Sequence, residues 1–171
     1  MVSLSEVVDN PAGQALVQAV LNHSAGYVEE SFGHSLAGIE GRQLFELLCH
    51  DVGARQRRVY SIDLTSQVSR SIGFITLGLD YPDWDGGYIH FLVLDARYRR
   101  QGLGRQAVEM LEARWAAKAP KMRLKVYPVD DSALSFWRAL GYEVVERCPV
   151  SFVPKVGQPH ECLFLQKQLQ A

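Results

Sequence analysis

Residues 91–110 read FLVLDARYRRQGLGRQAVEM, and this stretch decides the fold. An apolar run, typical of a strand covered on both faces, leads into a short loop, and the loop opens an amphipathic helix. The loop contains Arg99, Arg100, Gly102 and Gly104. The first amide groups of a helix have no partner within the helix, and the helix dipole favours negative charge there. Since glycines let a ligand approach the backbone and arginines add positive charge, the stretch predicts a phosphate or diphosphate site.

Three other kinds of loop share parts of this pattern. A P-loop requires a Lys followed by Ser or Thr after its glycines, and no such pair follows Gly104. A dinucleotide-binding fold requires G-x-G-x-x-G in its first strand–helix unit, whereas only G-x-G occurs here, late in the chain. The third alternative is an ordinary glycine-rich helix start whose arginines are solvated and bind nothing.

Outward from this stretch, hydrophobic periodicity predicts the element order β-α-α-β-β-β-α-β-α-β-β. The predicted strands cover residues 2–8, 57–64, 71–79, 88–94, 122–127, 142–147 and 161–168. The predicted helices run from Pro11 with Asn10 as cap, over 41–50, from Leu103 to a stop at Pro120, and over 133–140, where Asp130 or Asp131 is the cap and Gly141 the end. Several strands precede the first clear crossover helix. We therefore expect an α/β fold of the α+β type, a mixed sheet with helices on both faces.

The composition is that of a globular protein. The 171 residues are 47% hydrophobic and 22% charged, and no linker or repeat divides them, so we expect one domain over residues 1–171. A formal net charge of −1 gives no global field for nucleic acid or an anionic membrane, and neither is expected as a partner. Neither a signal-peptide pattern nor an apolar run of 18 residues is found, so a cytoplasmic location is expected.

The three cysteines, Cys49, Cys148 and Cys162, lie far apart in sequence and form no C-x-x-C pair. This spacing argues against a disulfide framework and against a cysteine-built zinc site. We expect three reduced thiols and no metal.

Two motifs in order carry a resemblance to a known family. The string R-x-x-G-x-G at Arg99, Gly102 and Gly104 resembles the acetyl-CoA-binding motif of the GNAT superfamily of N-acetyltransferases. Downstream, residues 133–142 (ALSFWRALGY) resemble the second signature of that superfamily, A-x-x-(F/L)-Y-x-x-x-G-(F/Y). The resemblance implies a GNAT-like acyl-CoA N-acyltransferase fold with a splayed central sheet, and it identifies no subfamily.

The resemblance also implies which residues contact acetyl-CoA, the expected co-substrate. The loop amides would bind the pyrophosphate, which points to Arg99, Arg100, Gln101, Gly102, Leu103 and Gly104. The preceding strand would pair with the pantetheine arm through Leu92, Val93 and Leu94, and an amide near Leu92 would polarise the thioester carbonyl. Further coenzyme contacts are expected from Asp131, Ser132 and Trp137.

The expected reaction is direct attack of a neutral amine on the thioester. Many relatives place a glutamate base three residues before the position of Val93, and this chain has His90 there, whose side chain has an ordinary pKa of about 6.5. His90 is therefore the candidate base, with a packing or substrate-contact role as the alternative. Trp137 stands where relatives often have a tyrosine acid, so Tyr142, Tyr127 or water would protonate the leaving thiolate.

The acceptor amine is less well defined. Residues 80–87 (DYPDWDGG) contribute Asp83, Trp84 and Asp85, and an acidic, aromatic rim of this kind suits a cation. A small amine, a polyamine, an aminoglycoside or a peptide amine would fit, while a solvated turn is the alternative. Asp83 and Asp85 are also weaker candidates for a water-mediated base. A homodimer is expected from the family alone, and a catalytically silent acyl-CoA-binding sensor is the rival function.

Overall fold

The computed structural model describes residues 1–24, 43, 46, 56–65, 70–80, 84–126, 131–149 and 161–169. The strands within these ranges are β1 (Val2–Glu6), β2 (Gln56–Leu64), β3 (Arg70–Leu79), β4 (Gly87–Leu94), β5 (Lys121–Val126), β6 (Glu143–Pro149) and β7 (Glu161–Gln168). The helices are α1 (Pro11–Asn22), a 3₁₀ helix (Ala96–Tyr98), α2 (Leu103–Trp115) and α3 (Asp131–Ala139). The helix predicted over 41–50 lies outside the described residues except for Gln43 and Glu46.

The strands form one sheet in the order β1-β2-β3-β4-β5-β7-β6. Only the pair β4–β5 is parallel, and the five other pairs are antiparallel. The parallel pair is joined by the crossover helix α2, as such a connection requires. The expectation of a mixed sheet is therefore confirmed.

Local sequence signals explain where α1 begins and where α3 ends. The Asn10 side chain accepts a hydrogen bond from the Gly13 amide at 2.9 Å, and Pro11 occupies the first turn of α1. At the end of α3, Gly141 has a φ of +88°, which an L-residue rarely adopts. The Tyr142 amide donates back to the Trp137 carbonyl at 3.1 Å. Both boundaries follow the predicted caps.

The hydrophobic core lies on both faces of the sheet. On one face, α2 packs through Leu103, Ala107 and Leu111 in a cluster that includes Ile75 and Leu124. On the other face, α1 forms a separate cluster, whose buried members are Val17, Val20, Leu21, Val59, Phe74 and Val93. This two-sided packing confirms the predicted layers. None of the helices in the described ranges has the length and apolarity that a bilayer-spanning segment requires.

The central parallel pair separates along its length. The ladder between β4 and β5 covers only Gly87–Ile89 and Met122–Leu124, although β4 continues to Leu94 and β5 to Val126. At the later residues of β4 the ladder with β3 continues on one edge, whereas the ladder with β5 on the other edge has ended. This splay, which the family resemblance implies, opens a cleft in the middle of the sheet.

Candidate active site

A cleft of about 590 Å³ occupies the gap between β4 and β5. Its walls come from β4, β5, the loop before α2, and α3. Of the residues predicted from the sequence, those that line it are His90, Leu92, Leu94, Arg99, Arg100, Gly102, Gly104, Ser132 and Trp137. Residues from two separate motifs thus meet in one cavity.

The loop after β4 is held by hydrogen bonds to its own backbone. The Asp95 side chain accepts from the Arg97 amide at 3.0 Å and caps the 3₁₀ helix. The Arg97 guanidinium also donates to Asp95, and these bonds lower the pKa of the Asp95 carboxyl to about 2. Arg99 Nε donates to the Leu94 carbonyl at 3.0 Å, so the loop is fixed against the end of the strand.

The backbone of this loop turns its first helical amides toward open space. Arg100 and Gly102 have φ values of +62° and +74°. A Cβ on Gly102 would find no atom within 4 Å, so the space in front of this residue is free. The first bond inside α2 runs from the Gln106 amide to the Gly102 carbonyl at 3.2 Å. The amides of residues 103–105 therefore have no intrahelical partner and can bind an anion.

Gly104 serves a different purpose from Gly102. A Cβ at Gly104 would lie 3.2 Å from Leu94 Cδ1 and 3.6 Å from Phe136 Cζ. The absence of a side chain lets the first turn of α2 approach both the end of β4 and α3. Together with Arg99, Arg100 and Arg105 in the cleft lining, this backbone cradle fits a diphosphate.

Three other residues predicted to contact the coenzyme, Val93, Gln101 and Leu103, do not line the cleft. Val93 and Leu103 are buried on opposite faces of the sheet, so only their backbone could take part. The Gln101 side-chain amide donates to the Arg97 carbonyl at 3.0 Å. Asp131 is the first residue of α3.

His90 occupies a bulge in β4. Thr76 is paired with Phe91 and Leu77 with Ile89, so His90 is the extra residue on its strand. The Thr76 hydroxyl accepts a hydrogen bond from the Phe91 amide at 3.0 Å, which replaces a ladder bond at this point. Bulges re-aim side chains next to functional sites. The half-buried His90 ring lines the cleft, where β4 and β5 separate.

Tyr142, predicted from the sequence as a candidate acid, lies in the core. It is 1% exposed, does not line the cleft, and donates its hydroxyl hydrogen to Glu112 Oε1 at 2.8 Å. Lys167 Nζ donates to the other oxygen of Glu112 at 2.6 Å. Burial, and then the charge of Glu112, raise the pKa of Tyr142 well above its ordinary value. The structure therefore places Tyr142 outside the cleft, as a packing and hydrogen-bonding residue of the core.

Trp137 packs against two neighbouring aromatic rings. It is 7% exposed, lines the cleft, and meets Phe136 and Tyr142 edge to face at 5.0 and 5.2 Å between ring centroids. These contacts fix the α3 wall of the cleft.

The acidic, aromatic rim predicted for a cationic substrate is already occupied by the protein's own cations. Asp85 binds Lys121 Nζ at 2.7 Å, and this hydrogen bond lowers the pKa of the Asp85 carboxyl. Lys121 and Arg123 lie 5.1 and 5.2 Å from the centroid of the Trp84 ring. Neither Trp84 nor Asp85 lines the cleft, and Asp83 lies outside the described residues.

The sequence interpretation missed three functional candidates in the cleft lining: Arg105, Lys125 and Phe136. Lys125 could have been found, because Met122, Leu124 and Val126 alternate as buried residues and place Lys125 on the other face of β5. Arg105 directly follows the second glycine of the loop and adds a third guanidinium to the same end. In the described part of the chain, no group of three His, Cys, Asp or Glu residues is arranged to hold a metal.

Comparison with known proteins agrees with this geometry. The sequence model of the acetyltransferase (GNAT) family matches residues 28–142, more than half of the chain. The protein therefore belongs to the GNAT family of acetyltransferases. No curated protein sequence matches the chain significantly.

Solved structures share the fold over nearly the whole chain. One is a Salmonella typhimurium acetyltransferase that modifies the N-terminal serine of ribosomal protein L7/L12, with 13% identity over 99% of this chain and 95% of that one, and a TM-score of 0.76. An acetyltransferase from Thermus thermophilus has 21% identity, coverage of 98% and 97%, and a TM-score of 0.70. An aminoglycoside 6'-N-acetyltransferase complexed with coenzyme A has 18% identity, coverage of 99% and 98%, and a TM-score of 0.69.

Proposed function

We propose that this protein, as one domain, transfers the acetyl group of acetyl-CoA to a primary amine. The observation that carries the proposal is the splay between β4 and β5, which has an amide and arginine cradle at one end and His90 at the point of separation. Membership of the acetyltransferase family and the likeness to a coenzyme A complex support it. Neither identifies the acceptor.

The proposed binding mode uses the whole length of the cleft. The amides of residues 103–105, with Arg99 and Arg100, bind the diphosphate at the start of α2. The pantetheine arm runs along the edge of β4 at residues 92–94, which β5 leaves unpaired. This path brings the thioester to the bottom of the splay, beside Ile89, His90 and Leu124.

The proposed reaction is a direct displacement. An aliphatic amine has a pKa of about 10.4 and arrives protonated, so His90 removes that proton, directly or through a water molecule. The amine nitrogen then attacks the carbonyl carbon, and a backbone amide near Leu92 stabilises the oxyanion of the tetrahedral intermediate. The C–N bond forms, the attached nitrogen loses its second proton to water, the C–S bond breaks, and coenzyme A leaves as a thiolate. Because a thiol has a pKa of about 8.5, the thiolate leaves without a side-chain acid and takes its proton from water.

Release of thiol from acetyl-CoA in the presence of a panel of amines tests the proposal directly. We expect turnover with at least one primary amine and none with the matching tertiary amine. Coenzyme binding without turnover on any amine would instead indicate a sensor. Thermal shifts with coenzyme A, ATP and GTP distinguish the acetyltransferase and the sensor from a nucleotide-binding protein. Coenzyme A should raise the Tm of the first two, and ATP or GTP should raise the Tm of the third.

A further inference from the structure

Two residues of β4 that are only two apart in sequence pack on opposite faces of the sheet. Ile89 packs in the α2 cluster, whereas Phe91 packs against the α1 cluster. In a regular strand, residues two apart point to the same face, so this arrangement requires an extra residue between them. His90 is that residue, since Thr76 is paired with Phe91 and Leu77 with Ile89. Packing on both faces of the sheet therefore requires the bulge.

One hydroxyl group completes the backbone hydrogen bonding at this bulge. Thr76 is the only polar side chain between Ile72 and Leu79, and it is 2% exposed. Its Oγ1 accepts a hydrogen bond from the Phe91 amide at 3.0 Å. A buried amide without an acceptor is destabilising, and Thr76 supplies the acceptor where the extra residue interrupts the ladder. The Thr76 hydroxyl therefore fixes the backbone that directly follows His90.

The strand on either side of the bulge is anchored independently of this hydrogen bond. On one side, Ile89 is 2% exposed within the α2 cluster. On the other side, the Leu94 carbonyl accepts hydrogen bonds from Ser24 Oγ at 2.9 Å and from Arg99 Nε at 3.0 Å. Loss of the hydroxyl would therefore disturb the bulge, and with it the direction of the His90 ring, more than the coenzyme edge of β4.

We infer that Thr76 is a positioning residue for the acetyl transfer, because its hydroxyl holds the bulge that directs the His90 ring into the cleft. This inference rests on the proposed function with His90 as its base, and it adds a residue that does not line the cleft. Proton transfer requires the base within about 3 Å of the amine or of a bridging water, and a misplacement of about 1 Å can lower the rate by about 100-fold. Thr76 thus acts on the proton-transfer step through the backbone of β4.

The test separates loss of the hydroxyl from loss of the fold. Thr76→Val keeps the size of the side chain and removes the acceptor of the Phe91 amide. We expect kcat at saturating amine to fall by about 10–100-fold, with the KM for acetyl-CoA within about threefold of wild type. Thr76→Ser restores an acceptor and should keep kcat within about threefold of wild type. Thr76→Ala provides the same comparison if the valine variant does not fold.

Ser61→Ala is the matched control, because Ser61 also carries a buried hydroxyl of the sheet, is 3% exposed, and does not line the cleft. Its Oγ donates a hydrogen bond to Asp63 Oδ2 at 2.9 Å. We expect Ser61→Ala to lower the Tm to an extent similar to that of Thr76→Val and to leave kcat unchanged.

A double substitution tests whether Thr76 acts through His90. In the His90→Ala protein the base is absent, so Thr76→Val should lower kcat further by less than about threefold. An equal fall in both backgrounds, or an unchanged kcat in Thr76→Val, would overturn the inference while the proposed function stands. The same holds if Ser61→Ala or Thr76→Ser lowers kcat as much as Thr76→Val does. Absence of turnover with every amine would overturn both.

Discussion

The two sides of the cleft are built in different ways. Most of the coenzyme side is one continuous segment, residues 92–105, whose binding groups are mostly backbone amides, and α3 adds Ser132 and Trp137. The acceptor side combines His90 on β4 with Leu124 and Lys125 on β5, which are distant from it in sequence. A site formed by backbone amides requires glycines at particular positions, and these glycines are recognisable as a sequence motif. A site formed by side chains from several strands depends on strand register, which leaves no motif in the sequence.

The substitution with the largest expected effect disrupts only the coenzyme-binding side of the cleft. Gly102→Glu places a carboxylate in the open space before the cradle, at a φ of +74° that L-residues rarely adopt. Loss of two amide–phosphate bonds would lower coenzyme affinity by about 100–10,000-fold. Isothermal titration calorimetry with coenzyme A measures this affinity.

Gly141→Glu is the control, because Gly141 also has a positive φ, of +88°, but does not line the cleft. It should lower the Tm to a similar extent and keep coenzyme affinity. Unchanged coenzyme affinity in the Gly102 variant would show that this loop does not bind the diphosphate.

The next effect falls on the acceptor side. His90→Ala removes the proposed base, and we expect kcat to fall by about 100-fold or more while the KM for acetyl-CoA changes little. Steady-state kinetics at saturating amine separate the two parameters. His23→Ala is the control, since His23 ends α1 and hydrogen-bonds the Ala19 carbonyl at 2.7 Å. If both variants keep the wild-type kcat, His90 is not the base.

A smaller effect tests the core beneath the α3 wall. Tyr142→Phe removes the hydroxyl that donates to Glu112, and leaves a buried carboxylate with Lys167 as its described partner. We expect a loss of about 1–3 kcal/mol in the free energy of unfolding, with kcat within a factor of about two of wild type. Thermal melts and kinetics check the two parts. A large fall in kcat with an unchanged Tm would instead support Tyr142 as the acid.

The smallest effect concerns the pH dependence of the coenzyme loop. The pKa of Asp95 is lowered from 3.8 to about 2, chiefly by the hydrogen bond from Arg97. The contribution of Asp95 to folding is therefore present above pH 4 and is lost as the pH falls toward 2. Asp95→Asn should lower the Tm at neutral pH, by the equivalent of about 1 kcal/mol, and the difference from wild type should shrink in acid. A difference independent of pH would contradict this assignment.

The sequence predicted the fold more completely than the site. Alternation and caps located most strands and helices, because each element depends on its own residues: β7 was predicted with its observed bounds, and Gly141 ends α3. The coenzyme loop was equally predictable, because its residues lie in one short segment of the sequence. The bulge at His90, by contrast, depends on pairing with Thr76 and Leu77, and no periodicity within β4 encodes it.

The sequence could not show the surroundings of residues whose role was predicted from residue type alone. Tyr142 has a hydroxyl, yet Glu112, thirty residues away in sequence, holds it in the core. Trp84 and Asp85 form an attractive cation site in isolation, yet Lys121 from the neighbouring strand fills it. Such partners come from tertiary packing, which single-sequence patterns do not contain.

The most direct test of the account is a crystal structure of the protein with coenzyme A and a non-transferable thioester analogue. We expect the diphosphate on the amides of residues 103–105 and the thioester carbon between His90 and Leu124, at the point where β4 and β5 separate. A coenzyme bound outside the gap between β4 and β5, or no coenzyme at saturating concentration, would contradict it.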